Sequence, residues 1–592
     1  MINEKFMRVL YIDLKTQKIK IENREDLYGY LGGVGVASKL LEENMKPQYD
    51  ALHEEQPIVF AIGAAPSLFP VLTKTVAMFI SPHTGQLGES YAGGRLAMTL
   101  FTAGYDAVVI TGKADKPIYL SINTHDIKFK DARALWGLTN EEVGGIIRER
   151  EPGSGKRSII RIGPAGENLV TYSSVCVDTF RHFGRLGLGA AFGSKNLKAI
   201  SVMGERDIPV ENFKEYFKVY QQIYKKCTET ALMKKYHDLG TPMNVEPLNA
   251  AGALPTKNLR QGVFENGTDI SGETFAKDNL VRKMACTGCP VGCIHIGQFR
   301  REFDDGYEYE AINVGYDYEL LFALGSYIGV KTPDEILELI DIVEELGLDA
   351  MSAGVVLGWA TEAYMKKNIT EKQTIIPLEF GNSKNYLKAI KYICEGKNDF
   401  YKALAKGCDY AADIYGGKEY AMTFAKNEMP GYHTGYGSVV GFAVAARHSH
   451  LCNGGYSIDQ SMDEFNKEKL VDDLFKEEKE RCMLNSLVIC LFARKVYDRP
   501  TILAALNAVG HAVTDDELTA ISENILRTKW RIKKALGFNQ MDVKLPKRFF
   551  ETPSMSGLLK EEIAYELMEM YTKKIEDLMA PQEKMNESGE KS

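Results

Sequence analysis

Three cysteines share one short loop, Cys286-Thr287-Gly288-Cys289-Pro290-Val291-Gly292-Cys293. C-x2-C-x3-C spacing aims three thiolates at one point, and Gly and Pro allow the tight turns this needs. Such a loop can wrap one side of a cubic iron–sulfur cluster. A [4Fe-4S] cluster needs four thiolates, so the fourth must come from elsewhere. Zinc is the rival reading. A structural zinc site also takes four ligands, commonly as two local pairs, whereas this chain has one local cluster of cysteines, with His295 the nearby imidazole. The plain alternative is three buried core cysteines.

The chain has ten cysteines in 592 residues, too sparse for a disulfide scaffold. Cys394 and Cys408 lie in polar, helix-like contexts, and Cys482 ends a charged helix. Cys490 sits in the apolar run Leu487-Val488-Ile489-Cys490-Leu491-Phe492. A cluster wants a shielded wall, so context favours Cys490 as the fourth ligand, with Cys452 and Cys482 as the alternatives. A buried core cysteine remains the competing reading.

Glycine turns are the second chemical signal. Gly32-Gly33-Val34-Gly35, Ala92-Gly93-Gly94, Gly163-Pro164-Ala165-Gly166 and Gly184-Arg185-Leu186-Gly187-Leu188-Gly189 all fall in the first third. The first is a partial dinucleotide fingerprint with Ser38 where its last glycine should stand, a weak match. Each is by itself a tight turn. Together, two of them beside an arginine, they suggest backbone amides offered to an anionic ligand.

The elements that position these groups change in kind along the chain. The first ~210 residues read as β-rich, with strands expected over 9–14, 57–62, 107–110 and 118–122. Beyond Gly204–Pro209 the chain reads as mostly helical. Pro333 to Val343 has helical apolar spacing, Pro near its start and acids in its first turn. Amphipathic helices are expected over 462–482 and 516–536, and 581–592 reads as a polar, disordered tail. No internal repeat is evident.

Hydrophobic residues make up 45% and charged ones 26%, ordinary for a globular protein. A net charge of −8 argues against a nucleic-acid groove. The start lacks a signal-peptide pattern and no apolar run reaches membrane-span length. A cytoplasmic protein, with thiolates free to bind metal, is therefore expected.

Several ordered stretches resemble the tungsten-containing aldehyde ferredoxin oxidoreductases over nearly the whole chain, as a divergent member. They include Ser81-Pro82-His83-Thr84-Gly85, Ala92-Gly93-Gly94, Ala103 to Ala107, Ile162 to Asn168, Gly187 to Ala190, Gly193 to Ile200, Leu254 to Asn258, the cysteine loop, Glu308-Tyr309-Glu310 and Gly347-Leu348-Asp349. The resemblance implies an α+β fold. An N-terminal paired β-sheet domain (1–210) would bind a bis-pterin cofactor, and two mainly helical domains (211–415 and 416–592) would cover it. It further implies tungsten or molybdenum on the pterins, Mg2+ bridging their phosphates, and a [4Fe-4S] cluster on Cys286, Cys289, Cys293 and Cys490.

Carried over by position, Tyr91 and Gly93 match one phosphate turn and Arg185, Leu186, Gly187 and Leu188 the other. Lys74 stands for an arginine of the family, keeping charge but losing the bidentate fork. Two D-x-x-G-L pterin motifs are altered here: Glu344 replaces the first Asp, ahead of Asp349, and Asn485 the second, ahead of Ile489. Glu310 and His450 match the catalytic acid–base pair, with His448 the neighbour of His450 and His433 a weaker candidate. Lys257 and Asn258 read as structural or channel-lining, and no histidine near 380–386 suits an inter-subunit iron.

The implied activity is oxidation of an aldehyde to the acid, with electrons passing through the cluster to ferredoxin or a small iron–sulfur subunit. Alternatives are a low-potential reductase of an acid or aromatic thioester on the same scaffold, and a non-catalytic iron–sulfur carrier. A homo-oligomer is compatible with all three; nucleic-acid and membrane partners are not expected.

Overall fold

The computed structural model describes residues 4–208, 210–303, 306 and 308–580; the tail expected over 581–592 lies outside them. Two six-stranded sheets come first. The first holds β1 (Met7–Asp13), β2 (Lys18–Arg24), β3 (Ile58–Ala61), β4 (Thr75–Ile80), β5 (Leu87–Ala92) and β6 (Ala107–Thr111), in the order β2-β1-β6-β3-β4-β5. The second holds β7 (Ile118–Ile122), β8 (Ile127–Asp131), β9 (Arg157–Arg161), β10 (Val175–Val177), β11 (Arg181–Phe183) and β12 (Leu197–Met203), in the order β8-β7-β12-β9-β10-β11.

The second order repeats the first, strand for strand. In each sheet the first and sixth strands pair parallel and the remaining neighbours pair antiparallel. This corrects the expectation of no internal repeat. The duplication is structural, and its sequence trace is confined to turns: Ile62-Gly63-Ala64-Ala65-Pro66 against Ile162-Gly163-Pro164-Ala165-Gly166. Sheet faces demand only apolar residues at alternate positions, so identities there drift freely. The two sheets share one core, in which the Phe60 and Phe183 rings lie 5.5 Å apart.

Helices pack around this base. α1 (Gly33–Asn44) lies against the first sheet and α2 (Asn140–Arg150) against the second, the latter opened by a Thr139–Glu142 capping box. A three-stranded sheet of β13 (Leu280–Met284), β14 (Ile294–Glu302) and β15 (Tyr309–Tyr316) leads into α3 (Tyr318–Leu324). α4 (Pro333–Leu346) has Pro and acids in its first turn and ends at Gly347, φ +79°. α5 (Ala350–Met365) is capped by Asp349. α6 (Lys467–Ser486) starts and ends a few residues later than expected, because Asn466 supplies its cap; α7 (Asp515–Ala535) follows.

Two corners between helices dock on the sheets at matching places. After α4, Leu348 bridges Ser173, Gly347 O accepts from Ser174 N at 2.8 Å, and Asp349 N donates to Tyr172 O at 3.0 Å. After α6, Ile489 bridges Leu72, Val488 O accepts from Lys74 N at 3.3 Å, and Cys490 N donates to Val71 O at 3.1 Å. Glycines make the room. A Cβ on Gly163 would stand 2.5 Å from Leu346 O, and one on Gly63 2.6 Å from Leu487 O. Gly33 serves the same end, since its Cβ would strike the Asn485 and Ser486 carbonyls. The first glycine run is therefore a packing device rather than a nucleotide turn.

Gly63→Ala is expected to destabilise the protein by about 1–3 kcal/mol, as overpacking against backbone does. Gly145→Ala, on α2 with nothing within 4 Å of the new methyl, is expected to be neutral or to stabilise by about 0.5–1 kcal/mol. Denaturation midpoints of the two variants measure the contrast.

Candidate active site

A cavity lies where the two corners, the sheets and α3 meet. It admits the centres of water molecules over about 330 Å³, where one water needs ~10–15 Å³ on that measure. A large ligand therefore fits. Its walls carry Lys74, Arg181, Arg185, Arg447, Arg481 and Arg494 against Asp317, Glu319, Glu344 and Asp349.

Burial pushes the Glu319 and Glu344 carboxyls each up to about 8, so both hold protons near neutral pH. The cavity is thus net cationic. Several buried donors have no partner: Arg185 Nη1, Arg447 Nε and Nη1, and Asn485 Nδ2. Unsatisfied buried donors are costly, and these call for an anionic ligand rich in acceptors. A bis-pterin with two phosphates has that chemistry.

Most expected cofactor contacts reach this space. Lys74, Tyr91, Gly93, Arg185, Glu344, Asp349, Asn485 and Ile489 all line it. Arg185 Nε is 3.1 Å from Asp349 Oδ2, and its Nη2 donates to Glu428 O at 2.7 Å. Tyr91 donates to Glu89 Oε1 at 2.5 Å, Lys529 Nζ stands 2.7 Å from Glu89 Oε2, and the Arg447 guanidinium lies 5.7 Å from the Tyr91 ring centroid. Leu186, Gly187 and Leu188 do not line the cavity, contrary to expectation. The Leu186 carbonyl is taken by Ser81 Oγ at 2.8 Å, and Gly187 is pressed against the Thr171 carbonyl. Only the arginine of that turn faces inward.

The cysteine loop lies behind one wall. A Cβ on Gly93 would meet Cys286 Sγ at 2.5 Å and Lys74 Nζ at 3.4 Å, so only glycine lets the thiol approach. Cys490 lines the cavity and interacts electrostatically with Cys289 and Cys293. Burial raises the Cys289 and Cys293 thiols, the latter to about 12, so a bound metal would displace their protons. Among the described residues no three His, Cys, Asp or Glu side chains converge on a single ion; thiolates on separate corners of a cubic cluster stand farther apart. Cys482 lies instead beside Lys529 and Glu89, and Cys452 bonds Ser449 O.

Glu310 needs correction. It lies on β15 opposite Arg301 of β14, ion-paired at 2.6 Å, and does not line the cavity. The strand carries it away from the site, and this segment meets the cavity wall from Gly315 onward, through Asp317, Tyr318, Glu319 and Leu320. The acid facing His450 is Glu319, in the first turn of α3 behind the Asp317 cap, with Oε1 3.4 Å from His450 Nε2. Glu319 Oε1 is buried without a hydrogen-bond partner. Burial holds His450 well below its usual value, helped by Arg185 and Arg447. The pair is therefore neutral carboxyl against neutral imidazole near pH 7. The signal for Glu319 was Asp317-Tyr318-Glu319, a capped helix start that mimics Glu308-Tyr309-Glu310.

Other expected residues are structural. His448 bonds Phe442 O, Ala443 O and Lys533 Nζ, and His433 bonds Thr552 O. Lys257 pairs with Glu265, and Asn258 donates to Glu362 Oε2 at 2.8 Å. Sequence reasoning missed Arg447, Arg181, His182 and the Glu89–Lys529 pair, whose inward aim depends on tertiary packing.

A cation-lined cavity with thiols behind it and a carboxyl–imidazole pair in its wall fits an oxidoreductase. The comparisons agree. The family model "Aldehyde ferredoxin oxidoreductase, N-terminal domain" matches residues 9–204, and "domains 2 & 3" of the same family matches 218–574. The chain belongs to the aldehyde ferredoxin oxidoreductase family. It is 32% identical to the tungsten-containing aldehyde ferredoxin oxidoreductase of Pyrococcus furiosus, across 98% of both chains. It is 30% identical to the WOR-like subunit of an aliphatic sulfonate oxidoreductase from the same organism, over 68% of this chain and 66% of that one. The active-site complex BamBC of benzoyl coenzyme A reductase shares the fold, with a TM-score of 0.81 at 20% identity over 97% of this chain and 94% of that one.

Lys529→Met leaves Glu89 buried and unpaired, and is expected to cost about 3–5 kcal/mol. Adding Glu89→Gln should recover most of that loss. Denaturation of both variants measures the coupling.

Proposed function

We propose that the protein oxidises an aldehyde to its carboxylic acid with water, and passes two electrons one at a time to a ferredoxin-type acceptor. The balance is RCHO + H2O → RCOO⁻ + 3H⁺ + 2e⁻. The observation that carries this reading is the Glu319–His450 pair, 3.4 Å apart in the cavity wall. Oxidation with water releases protons, and the ionised fraction of a carboxyl titrating near 8, which grows as pH rises, can take one. The neutral imidazole accepts and relays it.

Lys74, Tyr91, Gly93, Arg185, Glu344, Asp349, Asn485 and Ile489 would hold a tungsten or molybdenum bis-pterin together with Mg2+. Bound there, the metal centre supplies two-electron redox chemistry. Cys286, Cys289, Cys293 and Cys490 would hold the [4Fe-4S] cluster that passes electrons outward singly. Lys74, half-buried beside Cys490 and Cys286, would supply a positive charge next to those thiolates.

A second reading has one observation in its favour. Stacked Tyr236–Phe492 and Tyr432–Tyr456 pairs, with ring centroids 4.6 and 4.2 Å apart, give the cavity a flat apolar wall. Such a wall suits an aromatic substrate, and a protonated Glu319 could donate in a reduction. Reduction of an aromatic acid or thioester is the alternative, and parallel assays in both directions decide it.

The anaerobically purified protein is expected to hold about four irons per chain, with tungsten or molybdenum; one zinc and no iron defeats the proposal. Cys490→Ala should bleach the cluster absorbance, whereas Cys482→Ala should keep it. Glu319→Gln should lower turnover about 10²–10⁴-fold with metal content unchanged. In the wild type, oxidation should accelerate as pH rises through about 8, where the carboxyl becomes a base, and Glu319→Gln should flatten that profile. Full activity in Glu319→Gln would leave the acid–base role without support.

A further inference from the structure

A second cavity lies on the outer side of the cysteine loop. It is lined by Arg95, Arg148, Arg157 and Arg181 against one acid, Asp178. Among the described residues, none of the four guanidiniums has a carboxylate within ion-pair distance. Arg95 and Arg157 bond backbone carbonyls, Arg148 reaches Thr179 Oγ1 at 3.4 Å, and Arg181 bonds the Phe180 carbonyl. Asp178 is spent on Arg95 N, Ser158 Oγ and Ile159 N. Four free positive charges therefore gather on one face of a chain whose net charge is −8.

The place matters as much as the charge. Met284, Ala285 and Thr287 of the cavity wall flank Cys286, and Thr287 N bonds Gly94 O at 3.1 Å. Phe180 and Arg181 line both this cavity and the cofactor cavity. The cysteine loop thus stands between the inner site and this basic face. The floor is apolar, formed by Ile159, Val177, Phe180 and Ile294. A free phosphate wants converging donors on every side; a protein surface wants apolar contact ringed by charge.

We propose that this face is the docking site of a small acidic iron–sulfur electron carrier. The proposal rests on the functional reading above, and it adds the place and the recognition chemistry. Each docking moves one electron from the reduced cluster to the oxidised carrier, with no proton or bond transferred. Two dockings complete one aldehyde oxidation. The arginine rim steers the carrier, so association weakens with salt.

The test uses holoenzyme, a small acidic ferredoxin as carrier, and benzyl viologen as a dye that needs no docking. The variant is Arg148→Glu, in the cavity lining, with Lys156→Glu, an exposed residue between the lining residues Gly155 and Arg157. Aldehyde oxidation with the dye should be unchanged. The kcat/KM for the ferredoxin should fall about tenfold to a hundredfold and lose most of its salt dependence. Arg148→Lys should keep near wild-type rates. Unchanged ferredoxin kinetics in the double variant would overturn the proposal, and would direct attention to the exposed Phe213 and Phe217 on the helix Phe213–Glu229. Inorganic phosphate saturating the face at one equivalent, with ferredoxin kinetics unaffected by the double variant, would overturn it in favour of a small-anion site. Direct binding of ferredoxin to both proteins separates this question from the reaction: loss of binding in the variant supports the face even where no aldehyde is turned over.

Discussion

Two backbone-to-backbone contacts organise the molecule. The corner after α4 sits on the second sheet and the corner after α6 on the first, each through a short β-bridge beside a glycine. Because these contacts run through main-chain atoms, they fix where the corners lie without dictating their side chains. Glu344 and Asp349 arrive from one corner, and Asn485, Ile489 and Cys490 from the other. Position and chemistry are thereby separated. This explains how Glu344 and Asn485 can depart from the family's aspartates while still lining the cavity.

The electrostatics are arranged in two sets. Some groups are paired within the protein: Lys529 with Glu89, Arg185 with Asp349 at the cavity wall, and the His83 ring hydrogen-bonded to Glu428 at 2.7 Å. Ser352 ties Asp349 to Glu428 with bonds of 2.6 and 2.8 Å. Other donors, on Arg185, Arg447 and Asn485, are left open. Each open buried donor costs about 1–3 kcal/mol, so an anion that satisfies them binds the folded state selectively and stabilises it. The paired set holds the open set in place.

Local signals in the sequence carried much of the architecture. The strands at 107–111 and 118–122 follow from short apolar runs, and α4 from Pro333, its acids and Gly347. The spacing of the cysteine loop and the apolar context of Cys490 single out thiols that interact electrostatically in the folded chain although the sequence separates them widely. Long-range facts were less legible. The duplicated sheet leaves only turn glycines as its trace. Glu310 and Glu319 stand in near-identical tripeptides, and what separates them is an ion pair with Arg301 on a neighbouring strand, which no local pattern reports. Leu186 to Leu188 look like a phosphate turn, yet the Ser81 hydroxyl and the Thr171 carbonyl occupy their surroundings.

The wall between the two cavities has its own logic. Phe180 and Arg181, at the start of β11, face both spaces, and the Cys286 segment closes the same partition. A redox enzyme must let electrons leave while keeping water and the substrate from following them. Electrons tunnel through packed protein; small molecules need an opening. A partition of one aromatic ring, one guanidinium and a thiol-bearing loop meets both demands. The aromatic pairs of the inner cavity lie on its other side, around Tyr236, Tyr432 and Phe492. Substrate entry along those rings and electron exit past the cysteine loop would then use different faces, so neither partner would have to leave for the other to bind.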